Sequence, residues 1–126
     1  MLRDTNRAVL IVEDEPFIRM AAADIVADLG VTPYEAADAG EALALLGARP
    51  DIDLLFTDVN MPGMDGVTLA RRARELRPDV KLLVTSGRGA VPDGVLPEDG
   101  TFLPKPYGSR QLSSAVERTL AATRRH

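Results

Sequence analysis

The chain has 126 residues, a formal charge of −4 and no cysteine. That length fits one domain and leaves little room for a second. The acidic balance argues against nucleic-acid binding by this chain alone, and the absence of cysteine excludes disulfides and thiolate metal sites. No apolar run approaches the roughly 20 residues of a membrane span, and the polar start lacks a signal-peptide core. We expect a soluble cytoplasmic domain with no nucleic-acid or membrane partner.

The first half of the chain alternates between predicted strands and helices. Residues 8–12 form a continuous apolar run rich in β-branched side chains, typical of a strand buried on both faces. A helix is predicted from Pro16 to Leu29. Residues 31–36 indicate a short strand, and Asp38 can cap a second helix that ends near Gly47. The apolar stripe of the first helix consists of Phe17, Met20, Ala21, Ile25 and Leu29.

The second half continues the alternation. Residues 51–57 form another apolar strand, and the apolar residues from Val67 to Leu76 mark an amphipathic helix. Strands are predicted over 80–85 and 100–103, and the last helix begins at Ser109. Such alternation favours a parallel sheet with helices on both faces. Five strands indicate an α/β, flavodoxin-like doubly wound sheet of order 2-1-3-4-5.

One crossover departs from this pattern. Residues 87–100 contain four glycines and two prolines. These residues oppose a helix by roughly 1 kcal/mol per glycine and 3 kcal/mol per proline. We therefore expect the fourth helix of the doubly wound fold to be short or absent.

Four polar residues stand where predicted strands end: Asp14, Asp58, Ser86 and Lys105. The carboxyl ends of parallel strands meet at one edge of the sheet, where ligands bind in such folds. Two acids, a hydroxyl and an ammonium at that edge indicate a metal-assisted phosphoryl-transfer site, with Asp58 as a possible nucleophile. Each residue also has an ordinary explanation. Asp14 can belong to an acidic turn and Asp58 can cap a helix. Ser86 can be a turn serine and Lys105 a surface lysine.

The run Glu13-Asp14-Glu15 is dense in negative charge. It would repel a nucleotide or flavin phosphate, whereas a hard cation such as Mg²⁺ prefers oxygen ligands and takes one or two carboxylates. Glu15 reads as a first-turn acid of the following helix, and Asp65 as the cap of the third helix.

Four blocks in order resemble the response-regulator receiver domain of bacterial two-component systems. They are Val12-Glu13-Asp14-Glu15, the run from Thr57 to Gly66, Thr85-Ser86-Gly87 and Lys105-Pro106-Tyr107. The likeness covers nearly the whole chain. We expect a single receiver domain over residues 1–126, similar to stand-alone chemotaxis regulators, with no effector domain after Lys105. The alternative is that the chain belongs to a larger regulator or hybrid kinase. The oligomeric state does not follow from the sequence, and we favour a monomer.

The resemblance also implies residue roles. Asp58 would take a phosphoryl group from a phosphohistidine on a sensor histidine kinase or a histidine phosphotransfer protein. Glu13 and Asp14 would position Mg²⁺ together with Asp58 and the backbone carbonyl of Asn60. The chain would catalyse only its own phosphorylation and dephosphorylation, so it would not be an ordinary enzyme.

Further implied roles concern the conformational response. Ser86 fills the family's Ser/Thr switch position and Phe102 its switch aromatic position, while Lys105 fills the lysine position. Asn60 occupies a place that tunes hydrolysis of the phosphoryl group. The resemblance also suggests a cis peptide between Lys105 and Pro106.

Partner recognition is expected on the first helix near Phe17 and Ile18 and on the loop after Lys105. The ordinary role of Phe17 and Ile18 is core packing, which we expect for at least one of them.

Three other functions compete with the signalling switch. A hydrolase of the haloacid-dehalogenase kind needs Asp-x-Asp at its nucleophile, whereas this chain has Asp58-Val59-Asn60. A flavin carrier needs a Ser/Thr/Gly-rich loop where this chain has three acids. A non-phosphorylated scaffold receiver would not need the intact acid set. The only histidine, His126, is terminal, so the chain is not itself a histidine phosphodonor.

Overall fold

The computed structural model describes residues 7–61, 63–87 and 100–123. Strands and helices alternate along these residues, and every predicted element is present within one or two residues of its expected bounds. In chain order they are β1 (Ala8–Val12), α1 (Pro16–Asp28), β2 (Thr32–Ala36), α2 (Ala39–Ala48), β3 (Ile52–Asp58), α3 (Gly66–Leu76), β4 (Lys81–Ser86), β5 (Thr101–Pro104) and α4 (Ser109–Thr123).

The strands form one parallel sheet in the order β2-β1-β3-β4-β5, which confirms the predicted topology. All five residues of β1 are buried, because helices cover both faces of this central strand. The edge strand β2 contains Pro33, which has no N–H to give to a further strand. The buried residues of β1 are therefore consistent with its central position, and Pro33 is consistent with the edge position of β2.

Two apolar clusters cover the two faces of the sheet. Residues of α2 and α3 pack on one face, around Leu46 and Leu69. Residues of α1 and α4 pack on the other face, around Val26 and Leu112. Neither cluster includes the polar residues at the carboxyl ends of the strands, which meet at one edge of the sheet.

Acidic side chains begin three of the helices. Asp38 accepts a hydrogen bond from the Glu41 N–H and Asp65 from the Thr68 N–H, as predicted for helix caps. The sequence places Glu15 within the first turn of α1. It is instead the N-cap residue, and its carboxylate accepts the Phe17 N–H.

The orientation of α1 corrects one expectation. Its buried residues are Ala22, Ala23 and Val26, whereas Phe17 is 79% exposed and Ile18 is 40% exposed. The expectation that at least one of Phe17 and Ile18 packs in the core is therefore wrong. Phe17 precedes Val26 by nine residues, which places it roughly 180° away around the helix. Small alanines contact the sheet, and the larger apolar side chains of the first turn face outward.

Two further expectations concern the fourth helix and membrane spans. The short or absent fourth helix falls on residues 88–99, which lie outside them. Within the described residues, no helix is long and apolar enough to span a bilayer.

Candidate functional site

Two acids and a lysine meet at the carboxyl edge of the sheet. Asp58 is the last residue of β3, Glu13 follows β1, and Lys105 follows β5. The Lys105 Nζ lies 2.5 Å from Asp58 Oδ2 and 3.7 Å from Glu13 Oε1. Both carboxylates are buried, the Asp58 side chain being 7% exposed and the Glu13 side chain 8%. The structure thus brings together residues that lie far apart in sequence.

Backbone hydrogen bonds hold Asp58 at this edge. Its Oδ1 accepts the Asn60 N–H at 2.9 Å, and the Val59 N–H donates to the Thr85 carbonyl at 2.9 Å. The neighbouring strands are joined in the same way, since the Lys105 N–H donates to the Ser86 carbonyl at 3.0 Å. The carboxylate therefore sits on a fixed backbone with both of its oxygens engaged.

The Glu13 carboxylate is also fixed by its own loop. The Glu13 N–H donates to the Ala36 carbonyl at 3.1 Å, and Glu13 Oε2 accepts the Glu15 N–H at 3.0 Å. Burial raises the pKa of Glu13, and the nearby carboxyl groups of Asp58 and Asp14 add to the rise against the opposing effects of the Glu15 N–H and Lys105. Asp14 itself is exposed beside Glu13.

Lys105 is the cation between the two buried acids. Burial by itself would lower its pKa, but the hydrogen bond to Asp58 and the charges of Asp58 and Glu13 outweigh burial, so the pKa is raised. The ammonium is thus held in its charged form. The peptide between Lys105 and Pro106 is cis, as predicted.

Ser86 and Phe102 lie on one face of the sheet, towards the carboxyl ends of β4 and β5. In the ladder of β4 and β5, Val84 pairs with Phe102 and Ser86 with Pro104, and residues two apart on a strand share a face. The Asn60 Nδ2 lies 3.4 Å from the buried Ser86 Oγ. Phe102 is half-buried. The serine and the aromatic ring therefore share a face of the sheet, and the asparagine amide lies against the serine.

The donor chemistry at this edge suits a hard cation. Among the described residues, no three or more Asp, Glu, His or Cys side chains are grouped closely enough to form a metal cluster. Mg²⁺ does not require such a cluster, because it takes one or two carboxylates and keeps several waters. Glu13 and Asp58 supply buried carboxylate oxygens, and the exposed Asp14 lies next to Glu13. The residues present are therefore compatible with magnesium.

A groove of about 710 Å³ lies between α1 and the loop that follows β5. We call it the α1 groove. Phe17 and Ile18 line it on the helix side, and Lys105 and Tyr107 line it on the loop side. The Tyr107 ring makes an edge-to-face contact with Phe56 of β3, with ring centroids 5.9 Å apart. The groove thus connects an exposed apolar surface with the edge that holds Asp58.

Two residues at the site were not singled out from the sequence. A side-chain carbon added to Gly66 would overlap the carbonyl oxygen of Asp58, so only glycine fits where α3 begins. No pattern in the sequence marks this close approach, because it is a contact between two separate segments. Arg19 donates to the Glu13 carbonyl, a contact that helix periodicity does not reveal.

Comparisons with known proteins identify the family. The sequence pattern of the response regulator receiver domain matches residues 9–117. The chain is 40% identical over 119 residues to the sensor kinase CckA of Brucella abortus, covering 91% of this chain but only 13% of that protein. It is 34% identical over 119 residues to the response regulator receiver protein CpdR of the same organism, covering 92% of this chain and 98% of CpdR.

Solved structures give the same result. A CheY-like receiver domain protein from Methanospirillum hungatei superposes with a TM-score of 0.83 at 28% identity, covering 93% of this chain and 95% of the other. The receiver domain of the hybrid histidine kinase CckA superposes with a TM-score of 0.78 at 37% identity, covering 90% of this chain and 98% of the other. The chain therefore belongs to the response-regulator receiver domains of two-component signalling systems.

Proposed function

We propose that this receiver domain is a phosphorylation switch in which Asp58 accepts a phosphoryl group from a phosphohistidine. The observation that carries the proposal is the buried Asp58 carboxylate, held 2.5 Å from the Lys105 ammonium at the carboxyl edge of the sheet. A buried carboxylate beside a fixed cation at a strand end is suited to form an acyl phosphate.

The proposed reaction is a direct transfer. An oxygen of the Asp58 carboxylate forms a bond to phosphorus while the donor's N–P bond breaks, and the electron pair of that bond stays on the imidazole nitrogen. Lys105 stabilises the charge on the phosphoryl oxygens. The Ser86 hydroxyl donates a hydrogen bond to one of them.

Glu13, Asp14, Asp58 and the Asn60 carbonyl would hold the magnesium ion. When bound, Mg²⁺ supplies positive charge for the phosphoryl oxygens. The carboxylates of Glu13, Asp14 and Asp58 carry more negative charge than the Lys105 ammonium balances, so the site still attracts a second cation. Because few protein carboxylates take part and waters are retained, we expect weak binding in the resting state.

Ser86 and Phe102 form the proposed conformational switch. New phosphoryl oxygens attract the Ser86 hydroxyl, which frees space on the face of the sheet that it shares with Phe102. The inward rotamer of Phe102 is then favoured, so phosphorylation shifts a population between two states. Asn60, whose amide faces Ser86, tunes how fast the phosphoryl group is hydrolysed.

The proposed partner is a sensor histidine kinase or a histidine phosphotransfer protein. Its histidine-bearing helices would dock on the α1 groove, where Phe17 and Ile18 offer exposed apolar surface next to Lys105. We further propose that residues 1–126 act as one monomeric receiver domain in the cytoplasm. Its only catalytic activity would be its own phosphorylation and dephosphorylation.

Labelling with acetyl phosphate tests the proposal. The wild-type protein should acquire an acid-labile, hydroxylamine-sensitive phosphoryl group in the presence of Mg²⁺, and chelation of the metal should suppress it. Asp58→Asn keeps the size of the side chain and should abolish the label. Labelling of Asp58→Asn at the wild-type rate would overturn the proposed site. An equal rate of wild-type labelling with and without a chelator would overturn the role of magnesium.

A further inference from the structure

Arg19 joins three segments next to the acidic edge. It lies in α1, and its Nη1 donates to the Glu13 carbonyl at 2.8 Å. Its Nε donates to Glu35 Oε1 of the edge strand β2 at 3.2 Å. The side chain of Arg19 is only 19% exposed. One planar guanidinium therefore ties the loop after β1 to both the first helix and the sheet edge.

The contact with the Glu13 carbonyl bears on the neighbouring acids. A peptide group is planar, so a hydrogen bond that holds the Glu13 carbonyl also sets the direction of the Asp14 N–H and the place of its Cα. The Glu15 N–H donates to the Glu13 carboxylate within the same loop, so its exchange with solvent reports on how well this loop is ordered. Arg19 thus holds the peptide between Glu13 and Asp14 through its carbonyl oxygen.

We propose that Arg19 is a positioning residue that holds the Glu13–Asp14 peptide in the orientation needed for cation binding. The inference rests on the proposed magnesium site. Arg19 would not touch the cation, because its guanidinium donates to the carbonyl side of the loop and to Glu35.

The sign of the effect separates positioning from simple electrostatics. A cation near a magnesium site repels the metal, so its removal tightens binding if charge alone matters. If Arg19 orders the loop, its removal weakens binding instead. Loss of residues that orient metal ligands typically costs about tenfold or more in affinity.

The experiment compares Arg19→Gln, Arg19→Lys and the control Arg72→Gln, which removes an exposed charge on α3. The Mg²⁺ dissociation constant is measured by NMR titration of the full chain. Amide exchange of Glu15 is measured without metal, and the thermal midpoint is recorded for each variant. We expect about tenfold weaker binding and faster Glu15 exchange for Arg19→Gln, with wild-type values for Arg72→Gln.

Arg19→Lys keeps the positive charge but lacks the planar guanidinium that reaches both Glu13 and Glu35. This variant should therefore also bind Mg²⁺ more weakly than the wild type. Unchanged or tighter binding in Arg19→Gln, or wild-type affinity in Arg19→Lys, would overturn the role of Arg19. Absence of Mg²⁺ binding in the wild type would instead overturn the magnesium site itself. Unchanged Glu15 exchange in Arg19→Gln would also contradict the inference, since that measurement needs no metal.

Discussion

The two ends of the sheet use charge in different ways. At the amino end, Arg7 donates to Asp53 Oδ2 at 3.0 Å and to the Leu120 carbonyl at 2.8 Å. Arg77 donates to four backbone carbonyls between residues 46 and 52, at 2.7 to 3.3 Å. At the carboxyl end, the buried carboxylates of Glu13 and Asp58 share the ammonium of Lys105.

The difference separates residues that maintain the fold from residues suited to chemistry. The arginines at the amino end satisfy carbonyls that loops and helix ends leave without partners. Burial at the carboxyl end instead raises the pKa of Glu13. The negative charge of the Glu13 carboxylate is therefore unfavourable for the folded state. Substitutions at the amino end should therefore change stability, and those at the carboxyl end should change phosphorylation.

Lys105→Met should have the largest effect. Loss of the ammonium that contacts Asp58 removes charge stabilisation from the transferring group, so labelling by acetyl phosphate should slow by about 100-fold. The matched control is Lys81→Met, the same change at the amino end of β4. Comparable slowing in both variants would contradict the division between the two ends.

Arg77→Ala should lower the free energy of unfolding by about 2 to 3 kcal/mol, because it leaves several carbonyls without their charged donor. Urea denaturation measures this change, and labelling by acetyl phosphate should stay at the wild-type rate. Asp79→Ala is the control, since the Asp79 side chain is 79% exposed at 3.8 Å from Arg77 and such pairs contribute under about 1 kcal/mol. Equal destabilisation by both changes would show that the carbonyl contacts of Arg77 do not matter.

The double substitution Phe17→Ala and Ile18→Ala sharpens the comparison within the carboxyl end. It should slow phosphoryl transfer from a cognate kinase by about tenfold, as for loss of about 1.4 kcal/mol of binding free energy. Labelling by acetyl phosphate and the unfolding free energy should change little, because both side chains are exposed.

Leu76→Ala is the control for this double variant, since Leu76 is 49% exposed on α3 and does not line the α1 groove. It should leave transfer from the kinase at the wild-type rate. Unchanged transfer in the double variant would remove α1 from the docking surface.

Local patterns in the sequence were enough to predict the sheet and much of its edge. Continuous apolar runs marked β1 and β3 as central strands, and the alternation with helices indicated their order. Capping acids such as Asp38 and Asp65 marked where helices begin. The meeting of Asp58 and Lys105 followed from the topology, because the ends of parallel strands share one edge.

Other features depend on packing that periodicity does not reveal. The first helix carries apolar residues around most of its surface, so the sequence could not show that Val26 faces inward and Phe17 outward. The close approach of Gly66 to Asp58 and the reach of Arg19 to the Glu13 carbonyl are contacts between separate segments. They depend on how loops fold back at the sheet edge.

Locating the phosphoryl group within β3 tests the central claim most directly. Asp53 and Asp58 lie at opposite ends of this strand, one paired with Arg7 and the other with Lys105. After labelling with acetyl phosphate and Mg²⁺, borohydride reduction and peptide mass spectrometry identify the modified carboxyl group. We predict modification at Asp58 and none at Asp53. Modification of Asp53, or of any other acid instead of Asp58, would contradict the proposal that phosphorylation occurs at the carboxyl end of the sheet.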